Sequence, residues 1–159
     1  MKGPESLGQE AVERLKPAGG TTLEIKGTHG RLHLEVDDAD RLGVMVRSIH
    51  LDSVALSLSA RQLKSRLEDL ALRVDYLPER LSIVEHDPDR TGAILRSSPP
   101  HRSGAARDYF ELRVSRRLGL HFQRYRQPPG AGPRRPLPSL LDRRTLARLI
   151  DDMAAVTGT

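Results

Sequence analysis

Imidazole titrates near neutral pH and also binds transition metals, so the six histidines are the first side chains to weigh for chemistry. They stand at His29, His33, His50, His86, His101 and His121, with no HExxH or HxH spacing that would present two rings to one ion. The nearest groupings are His33 with Glu24 and Glu35, and His86 with Asp87 and Asp89. A carboxylate beside imidazole raises its pKa and prepares it for proton transfer, yet alternating charges of this kind also clothe any solvated sheet face. No metal ion and no cofactor is expected.

Nucleophiles offer less. There is no cysteine, which excludes thiol catalysis, disulfides, thiolate zinc sites and iron–sulfur clusters. Ser48, Ser53, Ser57 and Ser59 lie near a strand-to-helix transition, but none sits in GxSxG, and Ser59 is more simply a helix cap. Neither GxxxxGK[ST] nor GxGxxG occurs; in Gly130-Ala131-Gly132-Pro133 the proline removes a backbone N–H that a phosphate cradle needs. No catalytic residue is assigned, and a hydrolase or transferase built from dispersed residues is only the third functional reading.

Charge is the stronger signal. Arg96 to Thr159 holds thirteen Arg, no Lys and five acids, whereas the first 95 residues hold thirteen bases and sixteen acids. The net charge of +5 therefore divides into −3 and +8. Such asymmetry marks a surface that meets something anionic. Arg outnumbers Lys by 22 to 4 throughout, as a coding bias would give, so the informative fact is the thinning of acids after Arg96. Four of the five aromatic residues, Tyr109, Phe110, Phe122 and Tyr125, lie in the same basic segment. Aromatic rings beside cations hold single-stranded nucleic acid on some sheets.

The alternation of side chains predicts the frame for these groups. Leu23 and Ile25, then Leu32, Leu34 and Val36, form a hairpin whose apolar rows align when Ile25 faces Leu32 and Leu23 faces Leu34. Asp38 to Arg41 reads as a turn and Leu42 to Leu51 as a central strand. Leu63, Leu67, Leu70 and Val74 then repeat at helical spacing, behind a Ser59–Gln62 capping box and before Pro78. Leu81 to His86 and Gly92 to Arg96 form a second hairpin around Asp87-Pro88-Asp89-Arg90, and Ser97 to Ala106 reads as a mobile loop. Phe110, Leu112 and Val114 alternate against Leu118, Leu120 and Phe122; setting Val114 opposite Leu118 leaves Tyr109, Glu111, Arg113, His121 and Tyr125 on the other face. Between Gln127 and Pro138, seven of twelve residues are Pro or Gly, which predicts a structureless connection outside the sheet. Residues 142–156 close the chain as an amphipathic helix capped by Asp142, with Leu146, Leu149, Ile150 and Met153 in one stripe. A short lead helix capped by Ser6 and ended by Pro17 opens it, within residues 1–20.

The expected fold is one α+β domain over residues 1–159, an antiparallel sheet of about seven strands with helices packed on one face, in the order α-β-β-β-α-β-β-β-β-α. In outline this resembles the type III secretion chaperone class and several other bacterial α+β families, although secretion chaperones tend to be acidic where this chain is basic. No apolar run is long enough for a membrane helix, and Met1 to Lys16 lacks the apolar core of a signal peptide, so a cytoplasmic protein without membrane contact is expected.

The leading functional expectation is a non-catalytic interaction module, an adaptor, chaperone-like or assembly subunit, that docks an acidic partner protein. Its binding face is expected to carry Arg107, Tyr109, Arg113, His121, Arg124 and Tyr125, with Arg126, Arg134 and Arg135 adding long-range attraction. The alternative is nucleic acid on the same face, opposed by Asp108 and Glu111. A plainer alternative is a solvated hairpin whose arginines shield its edge and interact with the acidic first half of the same chain, where Asp37, Asp38 and Asp40 form an acidic turn. Pro133-Arg134-Arg135-Pro136 also matches a bare PxxP tetrad. Self-association is left open.

Overall fold

Ser6 opens the first helix, α1 (Leu7–Arg14), by accepting a hydrogen bond from Gln9 N at 3.0 Å. The reciprocal half of a capping box does not form, because the Gln9 side chain turns to Glu13. The computed structural model describes residues 6–17, 19–27, 30–52, 58–87 and 92–157. The expected turns through Thr28-His29 and Pro88-Asp89-Arg90, together with Ser53 and Ser57, lie outside the described residues.

Strands β1 (Thr21–Gly27) and β2 (Gly30–Ala39) pair in the expected register, Ile25 with Leu32 and Leu23 with Leu34. After β2 the chain turns on Asp40, whose Oδ1 accepts from Leu42 N and Gly43 N at 2.8 and 2.9 Å, and enters β3 (Val44–Asp52). Helix α2 (Ala60–Arg73) begins with both halves of the Ser59–Gln62 capping box in place. It buries Leu63, Leu67 and Leu70, as the spacing predicted. Next come β4 (Arg80–Asp87), β5 (Gly92–Ser98), a short β6 (His101–Ser103), β7 (Ala106–Ser115) and β8 (Gly119–Gln127). Two further short strands, β9 (Arg135–Leu137) and β10 (Ser139–Leu141), precede α3 (Arg143–Thr157), whose cap Asp142 accepts from Thr145 N at 2.7 Å.

The architecture is thus α+β with an antiparallel sheet of ten strands and helices on its apolar face. The seven long strands lie in the order β1-β2-β3-β8-β7-β5-β4. Leu34, Val44, Val46, Leu112 and Leu120 meet the α2 and α3 stripes in one core, while Ile83 is only partly buried on the terminal strand.

The three extra strands correct the expected connections. The segment from Ser97 to Ala106 is not simply a loop: β5 runs on to Ser98, and His101–Ser103 pairs with Asp108–Ala106 of β7. Nor does the stretch from Gln127 to Pro138 stay outside the sheet. Strands β3 and β8 pair only at Ile49–Phe122, His50–His121 and Leu51–Leu120, then diverge. Into the opening the chain runs antiparallel to β8 as β9, turns at Pro138, and leaves antiparallel to β3 as β10. Each leg needs hydrogen bonds on one side only, so Pro136 costs no interior ladder bond.

The β7–β8 hairpin also departs from the expected register. Val114 faces Leu120 and not Leu118, because Arg116–Leu118 form a three-residue turn that ends on Gly119 at φ 79°. Ser115 Oγ fastens the turn by accepting from Leu118 N at 2.9 Å. A slip of two residues keeps the same faces, but it brings Tyr109 directly opposite Tyr125.

Candidate interaction face

Successive side chains in a strand alternate between faces, so the face without helices collects the polar residues of every long strand. One transverse row spans the whole sheet: Glu24, His33, His50, His121, Arg113, Ile94 and Glu85, from β1 to β4. Three histidines that are far apart in sequence therefore stand side by side. The His33 and His50 rings stack with centroids 5.7 Å apart, and His121 meets His50 edge-on at 5.8 Å. His50 Nε2 donates to the Leu118 carbonyl at 2.6 Å, and His33 Nδ1 lies 3.6 Å from Glu24. Burial, with His50 and Arg113 alongside, pushes the His121 pKa below the ordinary histidine value. The groupings expected from the sequence, His33 with Glu24 and Glu35 and His86 with Asp87 and Asp89, do not include this row of three. Their parity was readable in each strand; the β3–β8 pairing that unites them was not. Among the described residues no three His, Asp or Glu side chains converge as metal ligands.

Beside this row lies a second one, Gln123–Glu111–Arg96–Ser82, centred on a carboxylate. The Glu111 side chain is only 2% exposed although it projects from the helix-free face. It is covered by guanidinium groups: Arg96 Nε at 2.8 Å, Arg134 at 2.7 and 3.0 Å in a bidentate pair, and Arg113 at 3.5 Å. Burial alone pushes the Glu111 carboxyl up, but the hydrogen bonds from Arg134 and Arg96 outweigh it and hold the pKa below the ordinary glutamate value. Arg134 comes from the Pro/Gly-rich segment. It lies 3.7 Å over the Tyr125 ring and donates to Tyr109 Oη at 3.0 Å. Arg96 stands 5.4 Å from the Tyr109 ring centre. Two tyrosines, two stacked arginines and one carboxylate thus form a single platform.

Of the expected binding residues, Arg107, Tyr109, Arg113, His121 and Tyr125 share this face, and Arg134 is drawn onto it. Arg124 and Arg126 do not. They pair in register with Phe110 and Asp108 and project from the opposite face. Arg124 lies 4.3 Å over the Phe110 ring and 3.3 Å from Glu79, with its side chain 11% exposed. Arg126 makes a bidentate pair with Asp108 at 2.7 and 2.8 Å, which holds that carboxyl below the ordinary aspartate value. Arg135 is exposed in β9, opposite Arg126.

Part of the compensation crosses between the halves, through Arg124 with Glu79 and through Arg73 with Asp152, 3.8 Å apart. The acidic turn uses Arg47, which grips Asp37 at 2.8 and 3.2 Å, while Asp38 and Asp40 accept from nearby backbone N–H groups. The Arg134 of the PxxP tetrad is bound to Glu111, and its Arg135-Pro136 belongs to β9, so the tetrad is not a free extended ligand. Sequence reading missed Arg96 as a member of the platform and Arg102, which faces Arg107 across the β6–β7 ladder. Its strand had been hidden in an apparent loop. No family model, curated protein or solved structure matches the chain, and among the described residues no helix is long and apolar enough to cross a membrane.

Proposed function

We propose that the protein is a non-catalytic interaction module that docks an acidic partner protein on the helix-free face of its sheet. One observation carries this reading: a single buried carboxylate, Glu111, is shared by three guanidiniums, Arg96, Arg113 and Arg134. The cluster keeps two positive charges in excess on a face where Arg107 and Arg113 are exposed. The Arg96 and Arg134 guanidiniums are held by hydrogen bonds to Glu111 before any partner arrives, which lowers the ordering cost of binding.

An acidic protein is favoured over single-stranded nucleic acid because the tyrosine rings are already in use. Arg134 covers Tyr125 at 3.7 Å and Arg96 approaches Tyr109 at 5.4 Å, while Phe110 and Phe122 stack on each other in the core. A base would have to displace a guanidinium that is also bonded to Glu111. In this reading Arg107, Arg113 and His121 meet carboxylates, Tyr109 and Tyr125 supply the firm floor, and Arg102 and Arg135 steer the encounter.

Titrating two fluorescently labelled probes, an acidic polyglutamate peptide and a single-stranded oligonucleotide of equal charge, discriminates the readings. The expected result is tighter binding of the peptide, weakened by Arg107→Glu and unchanged by Tyr125→Leu. Tighter binding of the oligonucleotide, with a loss of roughly 1 to 3 kcal/mol for each Tyr→Ala change, would transfer the assignment to nucleic acid.

A further inference from the structure

The sheet ends at β4, and among the described residues no strand pairs with its outer edge. An open edge offers a row of backbone donors and acceptors to any chain that can lie beside it. The sides of this edge are apolar. Leu72, on the neighbouring helix α2, is 70% exposed, and Val84, on β4 itself, is 53% exposed. Between them runs a groove of about 660 Å³ whose apolar lining also includes Ala71, Leu81 and Ile83. The other end of the sheet differs: β1 presents Thr22, Glu24 and Lys26, and none of the exposed large apolar residues lies on it.

The charges on β4 complement themselves. Ile83 pairs with Leu95 and Glu85 with Ile94, so Val84 is an extra residue in a bulge. The bulge places Arg80, Ser82 and Glu85 on the helix-free face, and Leu81 and Ile83 on the helix face, as their partners Ser98, Arg96, Ile94, Ser97 and Leu95 require. Suppose a second β4 is laid antiparallel about a two-fold axis through Ser82. Arg80 then faces Glu85 of the second copy, Glu85 faces its Arg80, and Leu81 faces its Ile83. Without the bulge Arg80 would face Val84. Both charges are exposed, and among the described residues neither has an ion-pair partner within its own chain.

We propose that the β4 edge is a self-association site, at which a second copy of the chain pairs antiparallel through Ser82 and extends the sheet across a two-fold axis. The Leu72 side chains and the groove beside them are covered by the same contact. This contact runs along the β4 edge, at the margin of the face that docks the acidic partner, and its test does not depend on that partner.

Sedimentation equilibrium of the full chain over a range of concentrations reads the association directly. The expected wild-type result is a reversible dimer. Glu85→Arg should raise its Kd by at least about tenfold, since two attractive cross-strand pairs become two repulsive ones, and Arg80→Glu should do the same. The double exchange Arg80→Glu with Glu85→Arg restores both pairs and should return the Kd to near the wild-type value. That recovery also separates lost pairing from lost folding. A wild type that stays monomeric would overturn the proposal, with the bulge then serving only to guard the edge. So would a dimer indifferent to Glu85→Arg, or a double exchange that fails to recover.

Discussion

Glu111 shows how a single side chain can set the character of a surface. A carboxylate on a solvated sheet face ordinarily stays hydrated, but here arginines have replaced the water, so removing the carboxylate strands them beside one another. Glu111→Ala should cost about 2 to 3 kcal/mol in chemical denaturation, less than a fully buried pair because the Arg96 and Arg134 side chains remain 43% and 25% exposed. A change near zero would mean that the arginines re-solvate freely. Titration separates two groups of residues. The His121 pKa is depressed by burial, by His50 and by Arg113, against a smaller opposing pull from Glu111 and Glu35. The folded state therefore binds fewer protons than the unfolded one. Its contribution is complete above about pH 6.5, the unfolded histidine value, and is lost as pH falls through the lower folded value. Asp108 and Glu111, also depressed, lose their contributions only lower, as pH falls below the ordinary carboxylate range. Thermal unfolding as a function of pH should then show two acid limbs, and His121→Gln should flatten only the upper one. At this scale the sequence made Tyr109, Glu111, Arg113, His121 and Tyr125 legible as one face, because parity survives a two-residue slip. It could not show that Glu111 is the centre of the face, since that depends on Arg96 and Arg134 arriving from other elements.

Among the elements, the connection from β8 to α3 departs furthest from its composition. Its Pro and Gly content reads as an untethered linker, but Arg134 fastens it to Glu111, Gln127 donates to the Gly132 carbonyl at 2.9 Å, and β9 and β10 fill the space between diverging strands. Composition reports what a segment cannot do alone; it does not report a neighbouring ladder that lacks a partner. Replacing residues 128–134 with Gly and Ser should therefore destabilise the protein by about 1.5 to 3 kcal/mol, the worth of charged hydrogen bonds, where a linker would leave stability unchanged. The helices were more legible, because their stripes and caps are local. Leu67, fully buried in the middle of α2, should cost about 2 to 5 kcal/mol when changed to Ala. The α1–α3 crossing was not legible. Gly8 N donates to Asp151 Oδ1 at 2.8 Å, and a Cβ at Gly8 would overlap the Ala147 carbonyl. Arg143 also reaches the Val12 and Leu15 carbonyls at the end of α1, at 2.9 and 2.8 Å, so the two helices are joined at both ends. Gly8→Ala should lower stability by about 1 to 3 kcal/mol by forcing them apart; an unchanged unfolding midpoint would show that α1 docks loosely.

For the whole molecule, charge asymmetry and strand order act together. The order β3-β8-β7 places the basic hairpin in the middle of the sheet, where its helix-free face continues the histidine row without a break. Arg124 and Arg73 pair across the halves with Glu79 and Asp152, but Arg107 and Arg113 stay exposed on the helix-free face, so an excess of positive charge remains there. A sequence discloses that excess but not the strand order, which rests on pairing between residues some seventy positions apart such as His50 and His121. The central claim is that exposed cations on this face hold an acidic protein. It is tested most directly by capture from nuclease-treated native lysate, comparing the wild type with an Arg107→Glu, Arg113→Gln variant. In that variant Gln avoids a like charge beside Glu111. Thermal unfolding of both proteins checks that the fold is unchanged. The account predicts that the wild type retains an acidic polypeptide after nuclease treatment, and that the variant loses most of it. Retention that disappears with nuclease, or that is equal in both proteins, would contradict it.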